Sequence, residues 1–159
     1  MIKKAMEFGQ KAHASQMYDH FPYFKHLEDV RGVLTRFGYT DELYQVAAFL
    51  HDAIEDTATS YSDIKKVFGE EVAELVYCMT DELGRNRKEK KEKTLPKIRS
   101  NPDSIIVKLA DRIANIEHSI QNTTDNDFLG MYSKEYKAFK WALYVPNHCD
   151  PMWEHLYGL

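Results

Sequence analysis

Apolar side chains in this chain recur three and four residues apart along most of its length, the spacing that lines one face of an α-helix. Runs that alternate apolar and polar residues, as half-buried strands do, are scarce. Only 7 glycines and 5 prolines punctuate the 159 residues. With so little turn chemistry, an all-α fold is expected.

Residues 2–14 put Ala5, Phe8, Ala12 and His13 on one helical face. After Pro22, the residues Leu27, Val30, Leu34 and Phe37 mark a second helix ending at Gly38. A third opens near Asp41 and carries Leu43, Val46, Ala47, Leu50 and Ile54. Ser60 and Asp63 have the spacing of a capping box ahead of a short helix that stops at Gly69. Val72, Leu75, Val76 and Met79 form the next apolar face. Residues 84–95 are basic and read as an exposed helix or ordered loop that Pro96 should kink or end. Asn101-Pro102 starts a helix running to about Gln121, with Ile105, Leu109, Ile113, Ile116 and Ile120 expected inside. A polar loop at 122–127 precedes an amphipathic helix through Tyr132, Tyr136, Phe139 and Leu143, and a short helix follows Pro151. The length suits one domain spanning 1–159, with the motif-bearing part at 1–122 and terminal helices over 128–159.

The polar residues on these apolar faces carry the chemistry. In HDAIED, His51 falls on the apolar stripe of the third helix, with Asp52 beside it and Glu55 and Asp56 one turn on. Carboxylates crowded on a half-buried helix repel one another unless something positive sits among them. A divalent cation would serve, and imidazole with carboxylate is a good ligand set for Mn, Fe, Zn or Mg. Taken alone, the segment reads as well as a satisfied core histidine beside solvent-facing acids. In KLADRIAN, Lys108, Asp111, Arg112 and Asn115 make a polar stripe extended by His118, either lining a cavity or forming an ordinary amphipathic boundary. In PYFKH, His26 sits at the start of a helix, just after a proline-fixed turn.

Together these segments resemble the HD superfamily, and within it the hydrolase domain of RelA/SpoT-type alarmone enzymes and the small stand-alone alarmone hydrolases. The likeness covers roughly residues 1–122 and includes AHASQ, PYFKH, HDAIEDT, FGEEVAELV, MTDE and VKLADRIAN. It implies an orthogonal multi-helix bundle of the HD-domain type, without a sheet. It implies that His26, His51, Asp52 and Asp111 bind a divalent metal, usually Mn²⁺, with Fe, Zn, Co and Mg as alternatives. Glu55 and Asp56 would activate the attacking water, and Lys108, Arg112 and Asn115 would contact substrate or support the ligands. The implied reaction is hydrolysis of the 3′-pyrophosphate of guanosine tetra- or pentaphosphate (ppGpp).

The chain departs from that family between the early glutamine and PY. The family usually has Arg-Lys and a glycine there; this chain has the shorter MYDHF, residues 17–21, and HL at 26–27 replaces the frequent His-Pro. The change opens other substrates: a nucleoside monophosphate, a dNTP or the 2′-phosphate of NADPH. Arg85, Arg87 and Lys88, in the basic segment 84–94, offer a replacement grip on phosphates, although Glu89 and Glu92 give that segment the look of a solvated helix face. Tyr18 is a candidate to stack on a base, whereas Tyr23 reads as core. A non-catalytic, antitoxin-like nucleotide-binding module would be expected to lack a ligand or the acidic pair, and all six residues are present.

A net charge of −4 argues against broad nucleic-acid binding, so the expected partner is a small nucleotide, with self-association left open. Cys78 and Cys149 form no CxxC pair, which suggests a reducing compartment and no thiolate metal site. No stretch resembles a signal peptide or a membrane span, and a cytoplasmic location is expected.

Overall fold

The computed structural model describes residues 1–122 and 128–159. In chain order it contains α1 (Ile2–Ala12), β1 (Met17–Tyr18), β2 (Phe21–Pro22), α2 (Phe24–Arg36), α3 (Glu42–Leu50), α4 (Ala53–Asp56), α5 (Tyr61–Phe68), α6 (Glu70–Met79), α7 (Arg87–Arg99), α8 (Pro102–Gln121), α9 (Phe128–Leu143) and α10 (Asp150–Gly158). The helical expectation holds, and several boundaries follow from local chemistry. Ser60 and Asp63 form the reciprocal capping box at the start of α5, and Gly69 ends that helix at φ +95°, where a Cβ would strain the backbone. Asn101 caps α8 by accepting from Asp103 and Ser104 N–H, with Pro102 in the first turn.

α8 is the central element. At 20 residues it is about 30 Å long, and from Ser104 to Ala114 every residue but Lys108 is buried. A helix apolar on most of its circumference needs neighbours on several sides. It packs on α2, α3, α6, α7, α9 and α10. One apolar cluster gathers α8 residues such as Ile105 and Leu109 with Val30, Leu34, Phe139 and Trp153. A second joins Ala5, Leu27, Phe49, Leu50, Ile64 and Val76 from α1, α2, α3, α5 and α6. Both clusters draw on α2 and α3, which bring the histidine segments against α8. α1 lies tight on α3: a Cβ on Gly9 would come within 2.5 Å of the Phe49 carbonyl oxygen, so only glycine permits this approach.

Three details correct the sequence-based expectation, and a fourth, at Pro96, removes one of its two alternatives. The chain is not wholly free of strand: Met17–Tyr18 and Phe21–Pro22 pair antiparallel in a minimal hairpin. The third helix does not continue through HDAIED; α3 ends at Leu50, Asp52 adopts φ −103°, ψ 2°, and the separate short α4 follows. Pro96 lies inside α7 without ending it. The carbonyl it leaves without a donor belongs to Glu92 on the exposed side, while buried Thr94 and Ile98 anchor the inner side. Ile120 is 52% exposed rather than buried, because the last turn of α8 runs beyond the packed core and borders an open cleft with Ile116, Leu129 and Tyr132. The loop expected at 122–127 lies, from residue 123 on, outside the described residues. Among the described residues, no helix is long and apolar enough to cross a membrane.

Candidate metal centre

Three packed elements supply the cluster. His26 comes from the first turn of α2, His51 and Asp52 from the break after α3, and Asp111 from the middle of α8. Each offers a donor atom within 4.8 Å of all the others. His26 Nε2 is 2.9 Å from Asp111 Oδ1 and 3.8 Å from Asp52 Oδ2. His51 Nε2 is 3.0 Å from Asp52 Oδ2 and 3.3 Å from Asp111 Oδ1. Two of the four donors come from adjacent residues at the break after α3. Successive residues of one α-helix point about 100° apart, whereas here His51 and Asp52 face the same point.

The donor set fits a divalent cation. His51 Nδ1 lies 2.8 Å from the Ala48 carbonyl oxygen, which can only accept, so Nδ1 carries the proton. Nε2 is then the atom aimed at the cluster, buried without a hydrogen-bond partner, and in the neutral ring its lone pair is open to a cation. Ligand bonds of about 2.1 Å at right angles place neighbouring donors about 3.0 Å apart, close to the separations seen. The electrostatics agree. Burial by itself lowers the His51 pKa, but Asp52 and Asp111 outweigh it and hold the imidazole well above its ordinary value. Burial likewise favours neutral Asp111, yet Lys108 and the two histidines hold it well below the usual carboxylate range. The cluster demands positive charge at its centre.

Asp111 is braced on its own helix: Lys108 Nζ donates to Oδ2 (3.0 Å) and Asn115 Nδ2 to Oδ1 (3.3 Å). Tyr18 donates in turn to Asn115 Oδ1 (2.5 Å), and its ring lies against His26 and His118, 4.8 and 4.5 Å between centroids. Glu55 and Asp56 have carboxylate oxygens within 4.8 Å of one from Asp52. Glu55 Oε1 accepts from the Asp81 N–H (2.8 Å), and Asp56 accepts from Gln16 Nε2 (3.4 Å). Burial, joined by the neighbouring Asp52 charge, raises the pKa of both above the ordinary value.

The remaining candidates stand apart from the four-residue cluster. Arg112 is buried but turns away from it, toward Glu135 (3.4 Å) and between the rings of Tyr132 and Phe139 (4.7 and 4.2 Å). Arg87 also reaches Glu135 (2.6 Å). Arg87, Lys88, Lys91 and Arg112 line one cleft of about 440 Å³ between α7 and α9. Arg85 is exposed and pairs with Glu89 (2.9 Å).

Sequence reasoning counted Lys91 only among the cations of the basic segment, without foreseeing that it holds Asp81 at 3.0 Å and so connects that segment to MTDE. Its reading of Tyr23 as core holds, since the ring is buried in the second cluster, but it did not foresee that the hydroxyl donates to Asp52. The proximity of PY to the histidine in PYFKH was the only available signal for that contact.

Comparison with known proteins gives the chain its relatives. It is 35% identical over 122 residues to guanosine-3′,5′-bis(diphosphate) 3′-pyrophosphohydrolase of Aquifex aeolicus, covering 73% of this chain but only 17% of that enzyme. Against human MESH1, which carries the same enzyme name, identity is 31%, over 91% of this chain and 82% of that protein. The solved structure of a metazoan SpoT ortholog that hydrolyses ppGpp superposes with a TM-score of 0.82, covering 99% of this chain and 93% of the other. At 24% identity that likeness speaks for the fold alone. A family model described as the HD domain matches residues 5–132. That span holds every side chain of the cluster, and by it this chain belongs to the HD-domain family.

Proposed function

We propose that this chain is a metal-dependent nucleotide phosphohydrolase and that the 3′-pyrophosphate of guanosine tetra- or pentaphosphate is the first substrate to test. The observation that carries the reading is the convergence of His26, His51, Asp52 and Asp111 on one point, with Glu55 and Asp56 alongside. The first four would hold the cation, with Mn²⁺ preferred on family resemblance. Such an ion lowers the pKa of a bound water and polarises a phosphoryl oxygen. Glu55 and Asp56 would take the proton of the attacking water, and their raised pKa values suit them to it. Lys108 would offset negative charge at the reacting phosphate. Arg87, Lys88 and Arg112 would take more distant phosphates in their shared cleft, and Arg85, exposed and paired with Glu89, lies outside that lining. Asn115 and Tyr18 would form the wall on the α8 side. The activities named for the Aquifex and human relatives support the substrate.

One observation favours another nucleotide. The hairpin segment 17–21 carries no Lys or Arg, and its Asp19 pairs with His118 (2.5 Å). An acidic group there suits a substrate with fewer phosphates, such as a nucleoside monophosphate, a dNTP or NADPH. The deciding assay measures phosphate and pyrophosphate release in Mn²⁺ and in chelator across these nucleotides. Pyrophosphate from ppGpp supports the first reading, and orthophosphate from NADPH or a monophosphate supports the second. Full turnover by Asp111→Ala, or nucleotide binding without turnover in Mn²⁺, would refute the enzymatic mechanism.

A further inference from the structure

Asp52 has the least regular backbone of the four cluster residues. It stands between α3 and α4, outside both. A residue inside a helix has neighbours three and four positions away that can brace its side chain, as Lys108 and Asn115 brace Asp111. Asp52 lacks such support. Apart from the cluster imidazoles, the one hydrogen-bond donor to its carboxylate among the described residues is the Tyr23 hydroxyl, which bonds to Oδ2. That same oxygen lies 3.0 Å from His51 Nε2.

Tyr23 is itself firmly held. Its ring stacks on His13 with centroids 4.7 Å apart, and meets Tyr18 edge-on at 6.0 Å. Its backbone N–H donates to the Gln16 carbonyl (3.0 Å). The preceding hairpin is fastened to α8 by Asp19–His118 and by Tyr18–Asn115, each 2.5 Å. One short segment therefore sends a tyrosine to each cluster aspartate: Tyr23 directly to Asp52, Tyr18 through Asn115 to Asp111.

We propose that Tyr23 is a positioning residue for the metal, its hydroxyl fixing the Asp52 carboxylate toward His51 and His26, with Tyr18 as a weaker brace on Asp111. This deepens the functional reading and rests on the cluster being the metal centre. The inequality follows from redundancy: without the Tyr18 hydroxyl, Asp111 keeps Lys108 and Asn115, whereas without the Tyr23 hydroxyl Asp52 keeps no donor of its own.

The test titrates Mn²⁺ by calorimetry into metal-free wild type, Tyr23→Phe, Tyr18→Phe and Asp111→Ala. Groups that support metal ligands typically contribute 10–100-fold to affinity, so Tyr23→Phe should weaken Mn²⁺ binding by about that factor and Tyr18→Phe by less. Turnover by Tyr23→Phe should recover as Mn²⁺ is raised to saturation. Tyr18→Phe, which removes a hydroxyl from the same segment, controls for general loosening. Equal Mn²⁺ affinity in wild type and Tyr23→Phe overturns the proposal, as does an equal loss in both tyrosine variants. Undiminished Mn²⁺ binding by Asp111→Ala would instead overturn the metal centre itself.

Discussion

Replacing Gly9 by alanine should disturb the protein through a single added carbon atom. The new Cβ would meet the Phe49 carbonyl oxygen at 2.5 Å and Leu27 Cδ1 at 3.2 Å. The leucine can change rotamer, but the carbonyl belongs to the backbone of α3 and cannot swing aside. α1 must therefore retreat by several tenths of an ångström, opening gaps around Ala5 and Leu27. Overpacking of this kind costs about 1–3 kcal/mol. Because the atom met is backbone, the cost lies at the upper end, about 2–3 kcal/mol, and alanine returns about 1 kcal/mol through its better helix propensity, leaving a net loss of about 1–2 kcal/mol. For a chain of this length, each kcal/mol corresponds to roughly 2–4 °C in Tm, so the expected fall is about 2–8 °C. Scanning calorimetry on the metal-free protein reads it directly. Phe49 lies two residues before His51, so the same variant should also bind Mn²⁺ more weakly. A variant as stable as wild type would refute the close contact between α1 and α3.

Two other outcomes are open to measurement. Mn²⁺ at 100 times its dissociation constant should stabilise the fold by about 2.7 kcal/mol, raising Tm by roughly 5–11 °C; chelator should remove the rise and Asp111→Ala should not show it, and a rise preserved in that variant would place binding elsewhere. Burial, with the Asp150 carboxylate beside it, pushes the Cys149 thiol up to about 12, so near pH 8 only about one molecule in ten thousand carries the thiolate that reacts. Iodoacetamide should label Cys149 readily only after unfolding, and rapid labelling of the native protein would contradict its buried placement.

Charge is divided unevenly around the cluster. Carboxylates of Asp52, Glu55 and Asp56 gather on one side. Lys108 flanks Asp111, and burial together with Lys108 lowers the pKa of Lys91, placing these two ammonium groups within electrostatic reach of each other. Arg87, Lys88 and Arg112 continue the positive side along the α7–α9 cleft. An anion whose reacting end meets the cluster would find its remaining charge compensated in that direction, while Asp19 stands at the hairpin.

Local chemistry made much of the fold readable. The Ser60–Asp63 box, Gly69, and the Asn101-Pro102 start act through neighbouring backbone, so their residue types alone announce them. The cluster was readable because His26, His51, Asp52 and Asp111 sit within short, distinctive motifs. Local reading reached its limit where distant contacts decide. At Pro96, where a kink or an end was expected, α7 does not end, and Thr94 and Ile98 stay buried on its inner side; Ile120 is exposed because the bundle ends before α8 does. Sequence alone therefore determined the helices and the kinds of side chain available to bind a cation. Tertiary packing decided the break after Leu50 that turns Asp52 beside His51, the rotation of Arg112 away from Asp111, and the reach of Tyr23 to Asp52. Each depends on residues far apart along the chain, whose separation in space is set only when α1, α2, α3, α8 and α9 close on one another.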